Sequence, residues 1–263
     1  MQKLEHVGVI GISLQWFSDY LKSRNLMMAV DASVSTVRPV LSRVPQGSVL
    51  GQLLSVIFFL DLPKSALSTC VQFADDTLVD EANCRGHEHC VLPADIGKLS
   101  AWAGDWNSNF NASKSVQLQI SYRRRISKLH ALSLDSSEIP SVDKTKHMGV
   151  VINHRICWSD HIQWLRQRTL YKVYLLRMLA FRYGSIELVD KLFKTLLLPS
   201  LEYAAAVWDS CSKAESESLE KLQLSVARAV LSNSQKYIMK NRYILQHLHR
   251  PTLSWRRRIL KLL

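Results

Sequence analysis

Apolar residues recur at helical and at strand-like intervals in alternation over the first part of the 263-residue chain. Leu14, Phe17 and Leu21 follow helical spacing after Ser13, which can cap the helix. Alternating or β-branched runs that are bounded by turn residues predict strands instead. The pattern predicts helices over 13–22, from Leu50 to before Pro63 and over 94–107, hairpins over 26–40 and 69–80, and short strands over 116–121 and 147–152.

From Asp160 onward the apolar spacing is helical throughout. A first helix is predicted up to Gly184, because glycine commonly ends helices. Further helices are predicted over 186–198, ending at Pro199, and over 215–232. The predicted fold class is therefore α+β up to about residue 158, followed by an all-helical region.

The charge of the chain is unevenly distributed. The formal net charge is +12, yet residues 1–100 carry 8 Lys and Arg against 10 Asp and Glu, whereas residues 101–263 carry 26 against 12. A strongly basic half is typical of proteins that bind polyanions. A protein that is merely basic is the alternative that charge alone leaves open. The hydrophobic share of 47% indicates a globular chain rather than a disordered one.

The five cysteines have irregular spacing, which argues against a disulfide framework and fits a reducing compartment. The cluster from Cys84 to Cys90 matches no standard zinc spacing. No apolar run reaches the ~18 residues of a membrane span, and the N-terminus lacks a secretion signal pattern. We therefore expect an intracellular protein of the cytoplasm or nucleus, neither secreted nor membrane-bound.

The tetrad Phe73-Ala74-Asp75-Asp76 places two adjacent carboxylates between apolar strand residues. Like charges repel at a hairpin tip, so the pair is costly unless a cation lies beside it. Two Mg²⁺ ions held by carboxylates activate a 3′-hydroxyl and stabilise the leaving pyrophosphate in nucleotidyl transfer, and hard oxygen ligands suit Mg²⁺. A solvated Asp-Asp turn is the alternative.

A second motif, Arg43-Val44-Pro45-Gln46-Gly47-Ser48-Val49-Leu50-Gly51, precedes the tetrad. The two motifs, in this order and at this interval, resemble the reverse transcriptases of LINE-type (non-LTR) retrotransposons, especially the jockey-like group. The resemblance implies a right-hand polymerase, with a partial palm over residues 1–158 and a helical thumb and C-terminal region over 159–263. It extends over nearly the whole chain, through residues 11–21, 99–115, 147–150, 158–162, 201–208 and 219–223.

The resemblance implies catalytic roles for three residues. Asp75 would be a direct ligand of Mg²⁺ (or Mn²⁺), and Asp76 its neighbour at the metal site. Lys114 follows the segment Asn111-Ala112-Ser113 and would lie near the triphosphate, where it could neutralise or protonate the leaving pyrophosphate. For Lys114 the alternative is an ordinary surface lysine.

The resemblance also implies binding roles around the nucleotide. Pro45, Gln46 and Gly47 would line the nascent base pair, where Gln46 offers both a donor and an acceptor and Gly47 lets the backbone approach without a Cβ atom. The alternative is a plain turn before a helix that Ser48 caps. Phe73 and Ala74 would shape the strand beside the primer end.

Further basic and strand residues would contact the nucleic acid. His147, Met148 and Gly149 fit the primer-grip strand of the family. Arg123-Arg124-Arg125 could contact nucleic-acid phosphates or form a solvated face. The basic tail from Trp255 to Leu260 could bind nucleic acid or be a frayed helix end. The implied partners are an RNA template, a DNA primer and dNTP.

Several positions depart from the family. Its first palm motif, a strand with an aspartate before the helix at 11–21, has no counterpart, and Glu5 is the only acid among the first ten residues. Arg43, Gln52 and Leu60 stand where the family usually has Gly, Pro and Asn. We therefore expect no useful polymerase activity from this chain. A non-catalytic nucleic-acid-binding remnant is the second interpretation, and an unrelated basic globular protein is the third.

Overall fold

The structure, a computed structural model, describes residues 1–40, 44–45, 47–82, 90–122, 131–231 and 239–262, with residue 242 described for its backbone alone. The chain divides into two units. The first comprises Met1–Ser115 and His130–Ile139, and the second Val116–Leu129 and Pro140–Leu263. The predicted division at residue 158 follows polymerase subdomains rather than contacts within the chain, and it stays a prediction.

Apart from a short helix at the N-terminus that the sequence did not predict, the helices of the first unit lie close to where the apolar spacing predicts them. They are α1 Gln2–His6, α2 Gly11–Leu21, α3 Val49–Phe59 and α4 Leu92–Asp105, with a 3₁₀ turn over Leu62–Ser65. Helix α4 turns its apolar stripe inward, because Leu99 and Trp102 lie one turn apart and are buried. They form a small core with Leu62 and Ala103.

The strands of the first unit form separate antiparallel pairs. The predicted hairpin over 26–40 is confirmed as two short pairs, β1 Asn25–Leu26 with β4 Arg38–Pro39, and β2 Ala29–Val30 with β3 Ser33–Val34. The predicted hairpin over 69–80 is confirmed as β5 Thr69–Phe73 with β6 Asp76–Asp80. Strand β7, Gln117–Leu118, belongs to the second unit. A further antiparallel pair of the first unit is formed by β8 Ser133–Leu134 and β9 Ser137–Glu138.

The strands of the second unit precede its helices. Strand β7 pairs in parallel with β10 Ser141–Val142. The single strand predicted over 147–152 is instead a hairpin of β11 Lys144–His147 and β12 Val150–Asn153. The correction has a backbone cause: Met148 and Gly149 both have positive φ, at 46° and 80°, and a two-residue turn of this kind reverses a chain into a tight hairpin.

After β12, all regular structure among the described residues is helical. Gly184 ends the first helix in a left-handed conformation, as predicted. The helices are α5 Ser159–Tyr183, α6 Ile186–Leu192, α7 Leu198–Glu202, α8 Ala205–Trp208, α9 Lys213–Ala229, α10 Asn241–His247 and α11 Leu253–Leu260, with a π-helical turn over Phe193–Leu197 between α6 and α7.

The second unit, called the helical unit below, has the larger core. Fully buried side chains of α5, α8 and α9 form its centre, among them Leu176, Trp208 and Leu219. The tail helix α11 packs onto this unit instead of fraying. Arg257 is buried and its Nε donates to Asp209 at 2.9 Å, and Arg256 pairs with Glu202. No helix among the described residues has both the length and the apolar character of a membrane span.

Candidate active site

The two carboxylates of the tetrad lie at the tip of the β5–β6 hairpin. Phe73 pairs with Asp76, and Ala74 and Asp75 form the turn between them. Ala74 has a φ of 53°, a left-handed conformation that is uncommon for a residue with a Cβ atom. Such a strained turn residue is a reason to look for function at the position.

Asp75 and Asp76 are exposed and form no ion pair with any residue that the structure describes. Their oxygens are hard ligands of the kind that Mg²⁺ prefers. Within the described residues, however, no group of three or more His, Cys, Asp or Glu side chains is placed to hold a metal ion. The hairpin tip therefore fits one part of a metal's ligand set, and not a whole set.

The base of the same hairpin is fastened by Asp95, whose importance the sequence reasoning missed. One Asp95 oxygen, Oδ2, accepts hydrogen bonds from the backbone N–H groups of Leu67 and Ser68 and from the Ser68 hydroxyl, at 2.7 to 2.9 Å. Burial alone would raise the pKa of Asp95, but these donors and Lys98 outweigh it and hold the pKa far below its usual range. The available signal was a carboxylate one turn before Leu99 on the buried stripe of α4.

The segment before α3 forms a capped helix start. Ser48 Oγ accepts a hydrogen bond from the N–H of Gly51 at 3.0 Å and donates to the carbonyl of Pro45 at 2.8 Å, while the Tyr20 hydroxyl donates to Ser48 at 2.9 Å. The alternative interpretation of this loop, a turn before a helix that Ser48 caps, is therefore observed. It does not exclude a nucleotide-binding role, because the Gly47 backbone stays exposed.

Two glycines of this segment have different requirements. Gly47 has a φ of 82°, and apart from its chain neighbours no atom of the described residues lies within 4 Å of where its Cβ would be, so the described part of the chain leaves space there for a nucleotide. At Gly51 a Cβ would lie 2.6 Å from the Pro45 carbonyl oxygen, so only glycine fits against the loop. The sequence reasoning missed this need at Gly51. Gln46 and Arg43 lie outside the described residues.

Lys114 ends the predicted Asn-Ala-Ser turn. Its N–H donates to the Asn111 carbonyl at 3.1 Å, the Ser115 hydroxyl donates to the same carbonyl at 3.0 Å, and the Lys114 side chain is exposed. Among the described residues, no hydrogen bond or ion pair joins Lys114 to the Asp75 hairpin or to the Pro45–Gly47 loop. That these three meet around a nucleotide therefore stays a prediction.

The predicted primer-grip residues His147, Met148 and Gly149 lie at the β11–β12 turn of the second unit. Tyr203 holds this turn: its hydroxyl donates to the Met148 carbonyl at 2.8 Å, and its ring leaves no room for a side chain at Gly149. The sequence analysis gave Tyr203 no role. Arg123, Arg124 and Arg125 lie outside the described residues, as do Cys84 to His89.

Comparison with known proteins settles the family. The profile of the family described as reverse transcriptase (RNA-dependent DNA polymerase) matches residues 1–166. This chain belongs to that family. The resemblance to LINE-type enzymes drawn from the two motifs is confirmed, and the third interpretation, an unrelated basic protein, is wrong.

The relatives of this reverse transcriptase chain are polymerases of mobile elements. It is 29% identical, over 80% of its length and 24% of the relative, to the probable RNA-directed DNA polymerase from transposon X-element of Drosophila melanogaster. It is 26% identical, over 89% of its length and 26% of the relative, to the RNA-directed DNA polymerase from mobile element jockey of the same species. The chain spans about a quarter of the length of these curated relatives. No solved structure gives a significant match.

Proposed function

We propose that this chain is the palm and thumb part of a retrotransposon reverse transcriptase that copies RNA into DNA. Residues 1–158 would form the palm part and residues 159–263 the helical thumb. The single observation that carries the proposal is the hairpin tip with two exposed carboxylates, found in a chain whose family is that of RNA-dependent DNA polymerases. The substrates would be an RNA template, a DNA primer and dNTP, inside the cell in the cytoplasm or nucleus.

Asp75 would hold a divalent cation, Mg²⁺ or Mn²⁺, with Asp76 beside it. When bound, such an ion lowers the pKa of an attacking hydroxyl and stabilises the leaving oxygens of a displacement at phosphorus. The chain's own contribution is to present the Asp75 carboxylate on a two-residue turn whose base Asp95 fixes. The positive φ of Ala74 aims this turn, and its small side chain would let the primer end come close.

The remaining residues would bind and orient the substrates. Pro45, Gln46 and Gly47 would line the nascent base pair, with Phe73 at the start of the hairpin turn. Lys114 would place its ammonium group beside the triphosphate. The primer end would lie against His147, Met148 and Gly149, and phosphates would contact the run Arg123, Arg124 and Arg125.

Primer extension on an RNA template tests the proposal. We expect the purified chain alone to extend poorly, because the described residues supply two carboxylates from one turn and two-metal transfer needs separated ligands. Joined to the upstream polymerase segment of the jockey relative, it should extend with Mg²⁺. Chelation of the metal, or Asp75→Asn, should abolish extension, whereas Asp135→Asn on an exposed turn should leave it unchanged. Extension that survives Asp75→Asn would contradict the assignment.

A second candidate function is nucleic-acid binding without catalysis, which the charge distribution favours. The excess of 26 basic over 12 acidic residues after position 100 predicts affinity for RNA or RNA–DNA hybrid with little sequence preference. Such binding releases counterions and weakens steeply with salt. Filter retention at rising salt would measure it. An affinity that stays flat with salt would exclude this function.

A further inference from the structure

A groove in the helical unit has no role in the function proposed above. It runs between α5 and α9 and reaches the start of α10, with a volume of about 830 Å³. Both helices pack on the core beneath them, since Leu176 of α5 and Val226 of α9 are fully buried. The groove is therefore a feature of packed helices and not of a loop.

The groove is lined by cations without acidic partners. Arg177, Lys221 and Arg228 line it, no Asp or Glu does, and none of the three forms an ion pair with a described residue. Arg228 donates a hydrogen bond to the side chain of Asn241, which carries no charge. From residue 161 to 183 helix α5 contains no acidic residue. Such a surface attracts a polyanion.

Exposed aromatic rings lie among these cations. Phe181 is 93% exposed and Tyr174 is 64% exposed, and the two lie two helical turns apart, with Arg177 and Met178 between them. A phenylalanine that makes almost no contact with the core has both ring faces free for a ligand. Unpaired bases stack on such rings, whereas the bases of a duplex are already stacked on each other.

We propose that this groove binds a single strand of RNA, with bases on Tyr174 and Phe181 and phosphates on Arg177, Lys221 and Arg228. Its volume lies in the range of clefts that hold one small ligand, which suits a few nucleotides of one strand. The choice of RNA rests on the proposed function, because the relatives are named RNA-directed polymerases. Charge and aromatic content favour a nucleic acid over an apolar protein partner.

The test measures binding of the whole chain to a short unstructured RNA, the same DNA strand and an RNA duplex. We expect Tyr174→Ala with Phe181→Ala to weaken single-strand RNA binding at least about tenfold, since each stacked base contributes measurably, and to leave duplex binding within about twofold. Tyr122→Ala, at a tyrosine that is 82% exposed outside the groove, is the matched control and should change neither.

A charge variant provides an independent arm. Arg177→Gln with Arg228→Gln should lower the slope of log affinity against log salt by about 1.4 for the single strand, from about 0.7 for each phosphate contact. Lys213→Gln, at an exposed lysine of α9 outside the groove, should leave the slope unchanged.

Three outcomes would overturn the proposal. Single-strand binding that the aromatic variant leaves intact, or an equal loss for duplex, would show that the strand lies elsewhere. Tighter binding of the DNA strand than of RNA would refute the choice of RNA. A groove variant that alters sedimentation of the chain without altering RNA binding would assign the groove to contact between copies. None of these outcomes bears on primer extension by the joined protein, so failure of the groove proposal is distinguishable from failure of the proposed polymerase function.

Discussion

At the scale of single residues, Lys3 occupies a cage that its place in a short terminal helix did not predict. Its ammonium lies 2.6 Å from Asp61 Oδ1 and within 4.0 to 4.6 Å of the ring centroids of Phe58, Trp102 and Trp106. The Lys3 side chain is only 11% exposed, so both the ion pair and the cation–π contacts act with reduced screening.

We expect Lys3→Met to lower the free energy of unfolding by about 1–3 kcal/mol, because the ring contacts and the charge-assisted bond to Asp61 are both lost. Methionine keeps the apolar stem, so the change reports on the charge. Urea unfolding of the chain measures the effect. Lys22→Met, at an exposed lysine at the end of α2, should change the free energy of unfolding by less than about 0.5 kcal/mol. Equal effects of both substitutions would show that the cage is not stabilising.

His161 shows the opposite treatment of charge, since the fold keeps it neutral. It is 1% exposed and lies between Trp164 and Trp208, with ring centroids 5.8 and 5.7 Å away. Its Nδ1 accepts a hydrogen bond from the N–H of Val151, and its Nε2 has no partner among the described residues. Burial lowers the pKa of His161, because a second proton would place an unpaired charge in the core.

The lowered pKa has a consequence for stability. Below the ordinary histidine pKa of about 6.5 the unfolded chain takes up a proton that the folded chain resists, so stability falls as the pH falls towards the folded-state pKa. We expect wild-type protein to lose stability between pH 7.5 and 5.5 at up to about 1.4 kcal/mol per pH unit more steeply than His161→Asn, which can still accept from Val151. Urea midpoints across this range measure the difference. Parallel pH profiles would contradict it.

At the scale of elements, apolar spacing predicted the longer helices among the described residues, while backbone conformation determined turns and helix ends that spacing did not predict. The helix expected to end at Pro199 continues to Glu202. A π-helical turn over Phe193–Leu197 precedes α7, so Pro199 lies in the first turn of that helix. A proline is tolerated there because backbone N–H groups of a first turn have no partner within the helix. Likewise the β11–β12 hairpin was missed because Met148, at a φ of 46°, carries no turn signal of its own.

The β11–β12 turn gives an element-scale prediction. At Gly149 a Cβ would lie 2.9 Å from Tyr203 Cε1, and the Tyr203 ring is held by its bond to the Met148 carbonyl. We expect Gly149→Ala to cost about 2–3 kcal/mol, from left-handed strain of about 1 kcal/mol plus the displaced ring. Gly184→Ala has the same kind of φ and open space, so it should cost about 1 kcal/mol.

A double-mutant cycle separates the strain from the clash. In a Tyr203→Ala background the ring is absent, so Gly149→Ala should then cost only about as much as Gly184→Ala. Thermal or urea unfolding of the four proteins gives the coupling energy. Additive costs would show that Tyr203 does not restrain the turn.

At the scale of the whole molecule, the sequence predicted the position of the two carboxylates better than it predicted the residues that hold the surrounding segments in place. Adjacent carboxylates between apolar strands are a local pattern, so Asp75 and Asp76 could be placed on a hairpin tip in advance. Asp95 bonds Ser68, which lies 27 residues before it, and Tyr203 bonds Met148, which lies 55 residues before it. Gly51 packs against the carbonyl of Pro45, six residues before it. Such pairings arise from packing that one sequence does not reveal. The assembly of loop, hairpin and Lys114 around a nucleotide stays a prediction for the same reason.

The first unit exposes an apolar stripe along α3 that no described residue covers. Val49, Leu53, Val56 and Leu60 follow one helix face and are 87%, 52%, 60% and 55% exposed, while the opposite face buries Leu54. Contiguous apolar surface of this kind promotes association. We expect the chain to self-associate as its concentration rises, and to bind an apolar fluorescent dye in its folded state.

Leu53→Lys with Val56→Lys should suppress both effects while leaving the unfolding midpoint nearly unchanged, because both side chains lie at the surface in the native chain. Leu67→Lys, at a leucine outside α3 that is 79% exposed, adds a charge without changing a residue of the stripe and should leave association as it was. Sedimentation at increasing concentration and dye fluorescence provide the measurements. A wild-type chain that stays monomeric and binds no dye would show that the stripe is shielded in solution. If Leu67→Lys suppressed association as much as the double substitution does, the effect would be due to net charge rather than to the helix face.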